Sequence, residues 1–444
     1  MTHKRGLVAL SPVVLLAVLF LGLGVAWGDF YKVPLVVVFL IVMIYSVVIT
    51  IGMKSDSYTL TQKERVARAV ETLSHGAGET NLMLMVWIFL LAGAFAATAK
   101  AMGAIDATVQ LTMALLPASM LLPGLFLAAC FVSLSVGTSV GTIVALVPVA
   151  AGLAAPTGLS LPLLVASVVG GSFFGDNLSF ISDTTIVATR TQGVRLSDKF
   201  RANVWLALPA ACVTFVVLLV VGHQATAATA EAIAAPALGD VDLVRVVPYI
   251  VVLVTAIAGL DVMFVLVLGN VLAGIIGLTG GALDVEGWMA ASADGMTGMT
   301  ETILVALMAG GMMSLIRHNG GIDYLIAHLT RRVNGRRGAE LSIAALVGLT
   351  NCCTANNTVA ILSVGNISAD IADRYGVSRL RSASLLDTFS CVVQGILPYG
   401  AQLLIAAGLA SIAPVQIIPC LYYNVILAGV AVLAIALRFP RRYC

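Results

Sequence analysis

The sequence predicts an all-α polytopic membrane protein, with about ten transmembrane helices plus two re-entrant hairpins, built as two inverted-topology repeats with broken helices. Three observations lead there. The 444 residues are 60% hydrophobic and 10% charged, with a mean hydropathy of +1.04, which excludes a water-soluble globule. Short motifs recur in register across the two halves while the charges of the matched loops reverse. Finally, Asp176 and Asp183 fall inside an apolar stretch, where a carboxylate costs about 2.5–3.5 kcal/mol to insert and is usually kept for an ion or proton path.

The elements follow in order. The start M-T-H-K-R precedes an apolar run over 6–27. That run is as long as a span, and the A-W-G-D after it is a poor cleavage site, so it is read as a retained first helix. Lys and Arg gather in 1–5, 54–68, 190–201, 317–337, 374–381 and 438–442, which the positive-inside rule makes cytoplasmic, with both termini. The segments 116–124, 151–162, 223–242, 280–294 and 408–414 carry almost none and are placed outside. Trp27, Trp87 and Trp205 sit near span ends, as interfacial anchors do. The expected location is the cell's inner (plasma) membrane, with multiple passes. The chain divides into N-terminal helices and a cytoplasmic loop (1–80), a first repeat core (81–222), a connecting loop and helix pair (223–299), and a second repeat core (300–444).

The repeat rests on two matches. G-A-I-D at Gly103–Asp106 recurs as G-G-I-D at Gly320–Asp323, and T-S-V-G-T-I-V-A-L from Thr138 recurs as T-A-N-N-T-V-A-I-L from Thr354. The offsets agree within one residue. Basic 54–68 corresponds to acidic 280–294, uncharged 116–124 to arginine-rich 331–337, and basic 190–201 to uncharged 408–414. Every matched loop changes side, the mark of an inverted repeat with a midplane site between the copies.

On that topology 124–150 starts and ends outside and 341–367 starts and ends inside, so each is expected to be a re-entrant hairpin. Their centres offer oxygen ligands: Ser135, Thr138, Ser139 and Thr142 in the first, Asn351, Thr354, Asn356, Asn357 and Thr358 in the second. Backbone leaving a helix at membrane depth lines a cavity or is buried in protein, and its carbonyls and hydroxyls can replace an ion's hydration shell. Packing through small residues explains Ser, Gly and Thr but not the adjacent Asn356 and Asn357. After each hairpin comes a long crossing segment, 162–189 and 382–407. The first is interrupted by G-D-N-L-S-F-I-S-D-T-T, the second by a stretch with the helix breakers Gly395 and Pro398. Broken helices bring half-helix termini, with their partial charges, into the core. Asp387, near the start of the second segment, is a third membrane-region acid and a further candidate ligand, the alternative being an ordinary acid close to the surface.

The run G-D-N-L-S-F-I-S-D-T-T resembles the corresponding motif of the NhaC-type sodium/proton antiporter family, within the wider ion transporter superfamily. The resemblance is strongest over 133–192 and 349–402. It implies an ion site of Asp176, Asn177, Ser179, Ser182, Asp183 and Thr184, with Asn356, Asn357 and Thr358 from the second hairpin. It also implies a dimerising scaffold, hence a homodimer, and a mobile transport domain. Relatives often carry proline where this chain has Phe180, so the break must arise otherwise.

The chemistry agrees with exchange of sodium and protons. Sodium is a hard cation suited to carboxylate, hydroxyl and carbonyl oxygens. A desolvated aspartate holds a proton to higher pH, so Asp176 and Asp183, the expected sodium ligands, would bind either ion. The alternative is a sodium- or proton-coupled carrier of an organic solute, an amino acid or a carboxylate. Against it, two acids repel an anion and no central Arg offsets them. No cofactor motif occurs. Of the seven cysteines, Cys130, Cys212, Cys352, Cys353, Cys391 and Cys420 lie in or beside apolar segments without metal-type spacing, and the five histidines form no triad, so no enzyme is expected. A net charge of +2 argues against a nucleic-acid partner; the partners expected are the lipid bilayer, sodium and protons.

Overall fold

Apolar runs that must satisfy their backbone without water fold as helices, and the computed structural model, which describes residues 3–27, 33–53, 61–179, 182–228, 239, 241–330 and 335–440, contains helices and no strand among them. In the first half these are α1 (His3–Ala26), α2 (Leu35–Gly52), α3 (Gln62–Ala77), α4 (Thr80–Ala101), α5 (Ala104–Leu115), α6 (Leu121–Val136), α7 (Ser139–Thr157), α8 (Leu161–Leu178), α9 (Asp183–Gln192) and α10 (Leu196–Ala228). The second half holds α11 (Leu243–Ile257), α12 (Val262–Thr279), α13 (Val285–Gly298), α14 (Thr300–His318), α15 (Gly321–Thr330), α16 (Gly335–Thr354), α17 (Asn357–Tyr375), α18 (Arg379–Ile396), α19 (Ala401–Ala410), α20 (Pro414–Ile417) and α21 (Tyr422–Leu437). Among the described residues ten helical segments are long and apolar enough to cross a membrane, and the bent pair α20–α21 makes an eleventh. The chain is a multi-pass membrane protein.

Two stretches read as loops contain helices. Within 54–68, α3 begins at a capping box: Thr61 Oγ1 accepts from the Glu64 amide, and Glu64 Oε2 accepts from the Thr61 amide at 2.8 Å. Within 280–294, Asp284 caps α13 by accepting from the Gly287 amide at 2.7 Å. Residues 54–60, 229–238, 240 and 331–334, parts of other loop assignments, lie outside the described residues.

The internal repeat is visible in the helix bounds. Helices α7, α8 and α9 start at 139, 161 and 183, and α17, α18 and α19 start at 357, 379 and 401, each 218 residues on. The chain turns between α6 and α7 at Gly137 (φ 76) and between α16 and α17 at Ala355 (φ 52), again 218 apart. The left-handed conformation comes free at glycine and is strained at alanine. This register pairs Thr138 with Asn356. The sequence match had aligned it with Thr354, two residues away.

Contacts repeat with the same exchange. Gly93 on α4 sits against Gly295 on α13, as Gly76 on α3 sits against Gly310 on α14, so each copy lends one helix to the other. The Ser133 hydroxyl donates to the Ser172 carbonyl at 2.6 Å, and the Asn351 amide donates to the Ser390 carbonyl at 2.9 Å. Gly171 lies against Phe126–Cys130 and Gly175 against Ser133, and Glu340 pairs with Arg381 below the Asn351 contact, so α6 and α8 run side by side in one direction, as α16 and α18 do. Helix α7 packs along α8 and α19, and α17 along α18 and α9. The eight helix ends meet at the two tips, 137–138 and 355–356, and the two breaks, 179–182 and 397–400.

Candidate functional site

The last helical bond of α8 runs from the Ser179 amide to the Gly175 carbonyl at 2.7 Å; beyond it the break leaves carbonyls without helical donors, and two of them find other partners. The Asp176 carbonyl accepts from the hydroxyls of Thr184 and Thr185 at 3.4 and 3.3 Å. The Asn177 carbonyl accepts from Lys199 Nζ at 2.8 Å and Asn203 Nδ2 at 3.1 Å. Hydroxyls, an ammonium and an amide thus hold open a break that contains no proline. Phe180 lies outside the described residues.

Asp176 is 4% exposed. Its Oδ1 accepts from the Ser139 amide at 3.0 Å, a first-turn donor of α7, whose helix end carries partial positive charge. From there a polar chain crosses the molecule. Gln402 Nε2 donates to Ser139 Oγ at 3.0 Å, and Gln394 Nε2 donates to Gln402 Oε1 at 3.0 Å and to the Ala355 carbonyl at 3.2 Å. One tip is thereby tied to the other through residues flanking the second break. Asn356 Oδ1 accepts from the Val359 amide at 3.0 Å and caps α17.

A cavity of about 240 Å³ opens where these elements meet, and Thr138, Ser139, Asp176, Ser182, Asp183, Thr184, Asn356, Asn357 and Thr358 all line it, together with Gln402. Nine of the sequence candidates are therefore brought together, from both tips and the first break. Asp183 is exposed toward this cavity, whereas Asp176 is buried at its wall. The carboxylates, hydroxyls and amides could hold a hard monovalent cation or a proton.

The other candidates lie elsewhere. Ser135 spends its hydroxyl on the Phe131 carbonyl one turn back, and Thr142 on the Thr138 carbonyl. Asn351 is used in the α16–α18 contact, and Thr354 bonds the Asn356 carbonyl and lines a separate cavity beyond the second tip. Ser179 caps α8 and is buried, and the Asn177 amide donates to the Phe173 carbonyl. Asp387 corrects the near-surface expectation: it is wholly buried, bound to Lys199 at 2.7 Å and to Asn203 at 2.9 Å. It is not among the residues lining the cavity, and Lys199 supplies the counter-charge that a buried acid needs.

Lys199 and Asn203 escaped the sequence reading because Lys199 was counted with the surface charges of 190–201. The signal was there: 199, 203, 206, 210 and 214 form one buried stripe on α10, the spacing of an inward face. Arg381, counted with 374–381, is likewise buried and paired with Glu340 at 3.1 Å. Gln394 and Gln402 were missed because an amide in an apolar helix is an inconspicuous residue; in the 218 register they stand opposite Asp176 and Thr184.

The Na+/H+ antiporter family matches residues 9–223 and 224–438. The chain belongs to this family. Among relatives, it is 21% identical over 385 residues to the malate-2H(+)/Na(+)-lactate antiporter of Bacillus subtilis, covering 80% of this chain and 81% of that one. It is 26% identical over 294 residues to the Na(+)/H(+) antiporter NhaC of Alkalihalophilus pseudofirmus, covering 60% and 62%. The solved structure of the Alcanivorax borkumensis YdaH transporter overlaps 92% of this antiporter-family chain and 99% of its own at a TM-score of 0.45 and 14% identity.

Proposed function

We propose that this protein is a secondary active transporter exchanging sodium for protons by alternating access, with Asp176 and Asp183 as the ion-binding acids. The observation that carries the reading is Asp176, buried at the meeting point of two tips and two broken helices in a chain of the Na+/H+ antiporter family. Sodium or a proton neutralises the carboxylate, and the hydroxyls of Ser139, Ser182 and Thr184 with the amides of Asn356, Asn357 and Gln402 supply further oxygens. Competition for one carboxylate makes binding of one ion expel the other.

The hairpin reading assigns α6–α7 and α16–α17 to opposite faces of the bilayer. Each of α6 and α7 is long enough to cross alone, so its support is packing. Helix α7 folds back along α8 and α17 along α18, while α9 and α19 continue away from the breaks. With both pairs re-entrant, ten crossings remain: α1, α2, α4, α8–α9, α10, α11, α12, α14, α18–α19 and α20–α21. An even number leaves both termini on one side, the cytoplasmic one by the positive-inside rule. A homodimer in the plasma membrane completes the proposal, from the superfamily resemblance.

An imposed pH gradient across liposomes containing the purified protein should drive sodium movement with no organic solute present, and apparent sodium affinity should weaken as pH falls. A second reading has one observation in its favour, the relative named as a malate and lactate antiporter. Against it, no Lys or Arg lines the cavity among the described residues, so a carboxylate solute would face two acids unaided. No sodium flux under a pH gradient, with robust flux once a carboxylate or amino acid is added, would replace the first reading by the second.

A further inference from the structure

The buried ion pair next to the break is an oxygen cage with a cation already inside. Lys199 Nζ is bounded by the Asn177 carbonyl at 2.8 Å, Thr185 Oγ1 at 2.5 Å and Asp387 Oδ2 at 2.7 Å, one oxygen for each of its three donors. Lys199 and Asp387 are both fully buried. Asn203 Nδ2 bonds both the Asn177 carbonyl and Asp387 Oδ2, fixing two cage oxygens from outside. Among the described residues Asp387 Oδ1 has no hydrogen-bond partner, with the Thr184 side chain facing the same carboxylate, so the cage holds one oxygen more than the ammonium uses. Carboxylate, hydroxyl and a half-helix C-terminal carbonyl are the ligands of a hard monovalent cation. None of the three cage oxygens is a group that the exchange reading needs for its ion.

The geometry points to a second monovalent-cation position, formed by Asn177, Thr185 and Asp387 and permanently filled by the tethered ammonium of Lys199. The chain therefore carries a resident cation, neutralised by Asp387 and held between α8, α9, α10 and α18, and its exchangeable ions are confined to the cavity beside Asp176. Removing the Lys199 side chain vacates the position, leaving the cage oxygens and the free Asp387 Oδ1 to a sodium ion. This rests on the exchange reading only for the meaning of the remaining site; the cage is defined by its own contacts.

The test is equilibrium binding of radioactive sodium to the purified full-length protein. Lys199→Ala should bind one more sodium per chain than wild type, methylammonium should displace that extra ion, and Lys199→Ala/Asp387→Asn should lose it. The same increment should appear in an Asp176→Asn background, where failure of the exchange reading would leave it intact. No added sodium, or an added sodium that survives Asp387→Asn, overturns the proposal. If Lys199→Ala does not fold, the paired variant Lys199→Gln/Asp387→Asn, which leaves no lone buried charge, decides. It should bind as much sodium as wild type. A loss of sodium there would make Asp387 a ligand of the exchanged ion and the proposal wrong.

Discussion

Replacing Asp176 separates its chemical role from its structural one, because among the described residues the hydrogen bonds to its carboxylate come from Ser139 alone. Asp176 Oδ1 accepts the Ser139 amide at 3.0 Å. Asp176→Asn keeps an oxygen there, so the helix start stays satisfied and stability should change by no more than about 1 kcal/mol. Asp176→Ala leaves the buried Ser139 amide without an acceptor, at a cost of about 1–3 kcal/mol. Transport should not follow that order. A charged oxygen ligand contributes about 1.5–3 kcal/mol against about 0.5–1.5 for a neutral one, so sodium should bind roughly tenfold more weakly to the amide, which in addition cannot exchange a proton. Both variants should therefore fail in sodium uptake driven by a pH gradient in liposomes, while only Asp176→Ala melts appreciably lower in detergent. Near-normal exchange by Asp176→Asn would refute the role of the acid. A melting loss in Asp176→Asn equal to that of the alanine variant would refute the hydrogen-bond geometry.

Three further outcomes follow. A Cβ at Gly175 would lie 2.4 Å from the Ser133 carbonyl carbon, so Gly175→Ala should push α6 from α8 and cost about 1–3 kcal/mol in thermal unfolding; an unchanged melting temperature would mean the two helices are not in contact. Asn356→Ala removes the cap of α17 and should cost about 1 kcal/mol while weakening sodium binding, and Asn356→Asp should recover the stability; a variant as stable as wild type would dismiss the cap. Single cysteines at Ser119 and Gly335, in a background lacking the native ones, should react with an impermeant thiol reagent from opposite sides, and labelling from one side alone would exclude the inverted arrangement.

Much of the helical fold was legible because its causes are local. Apolar runs declared the spans, Gly395 and Pro398 marked one break, and the G-D-N-L-S-F-I-S-D-T-T run marked the other. Both lie where α18 and α8 end. Nine of the candidate residues converge on one cavity because tips and breaks are where a helix exposes polar backbone, so polar side chains gather there. What stayed hidden depends on partners distant in sequence. Lys199 reads as a surface lysine until Asp387, 188 positions later, is seen beside it. Ser135 and Asn351 have the composition of ligands, but one bonds its own helix and the other a neighbouring helix. Composition identifies a polar neighbourhood; only packing decides which atoms remain free for an ion.

The 218 register also shows how a duplicated backbone acquires a single charged site. Asp176 stands opposite Gln394, Asp183 opposite Ala401, Thr184 opposite Gln402 and Ser139 opposite Asn357. Had both copies kept acids, four carboxylates would crowd one cavity, and mutual repulsion would hold some of them protonated whatever the sodium level. Amides avoid this. Gln402 donates to Ser139 and accepts from Gln394, which also donates to the Ala355 carbonyl, so the two amides link the tips without adding charge. In the exchange reading the first copy carries the acids that bind the ions, and the second carries the bridge that ties the two tips together. Asp387, the acid of the second copy, fits the same division because Lys199 neutralises it in place.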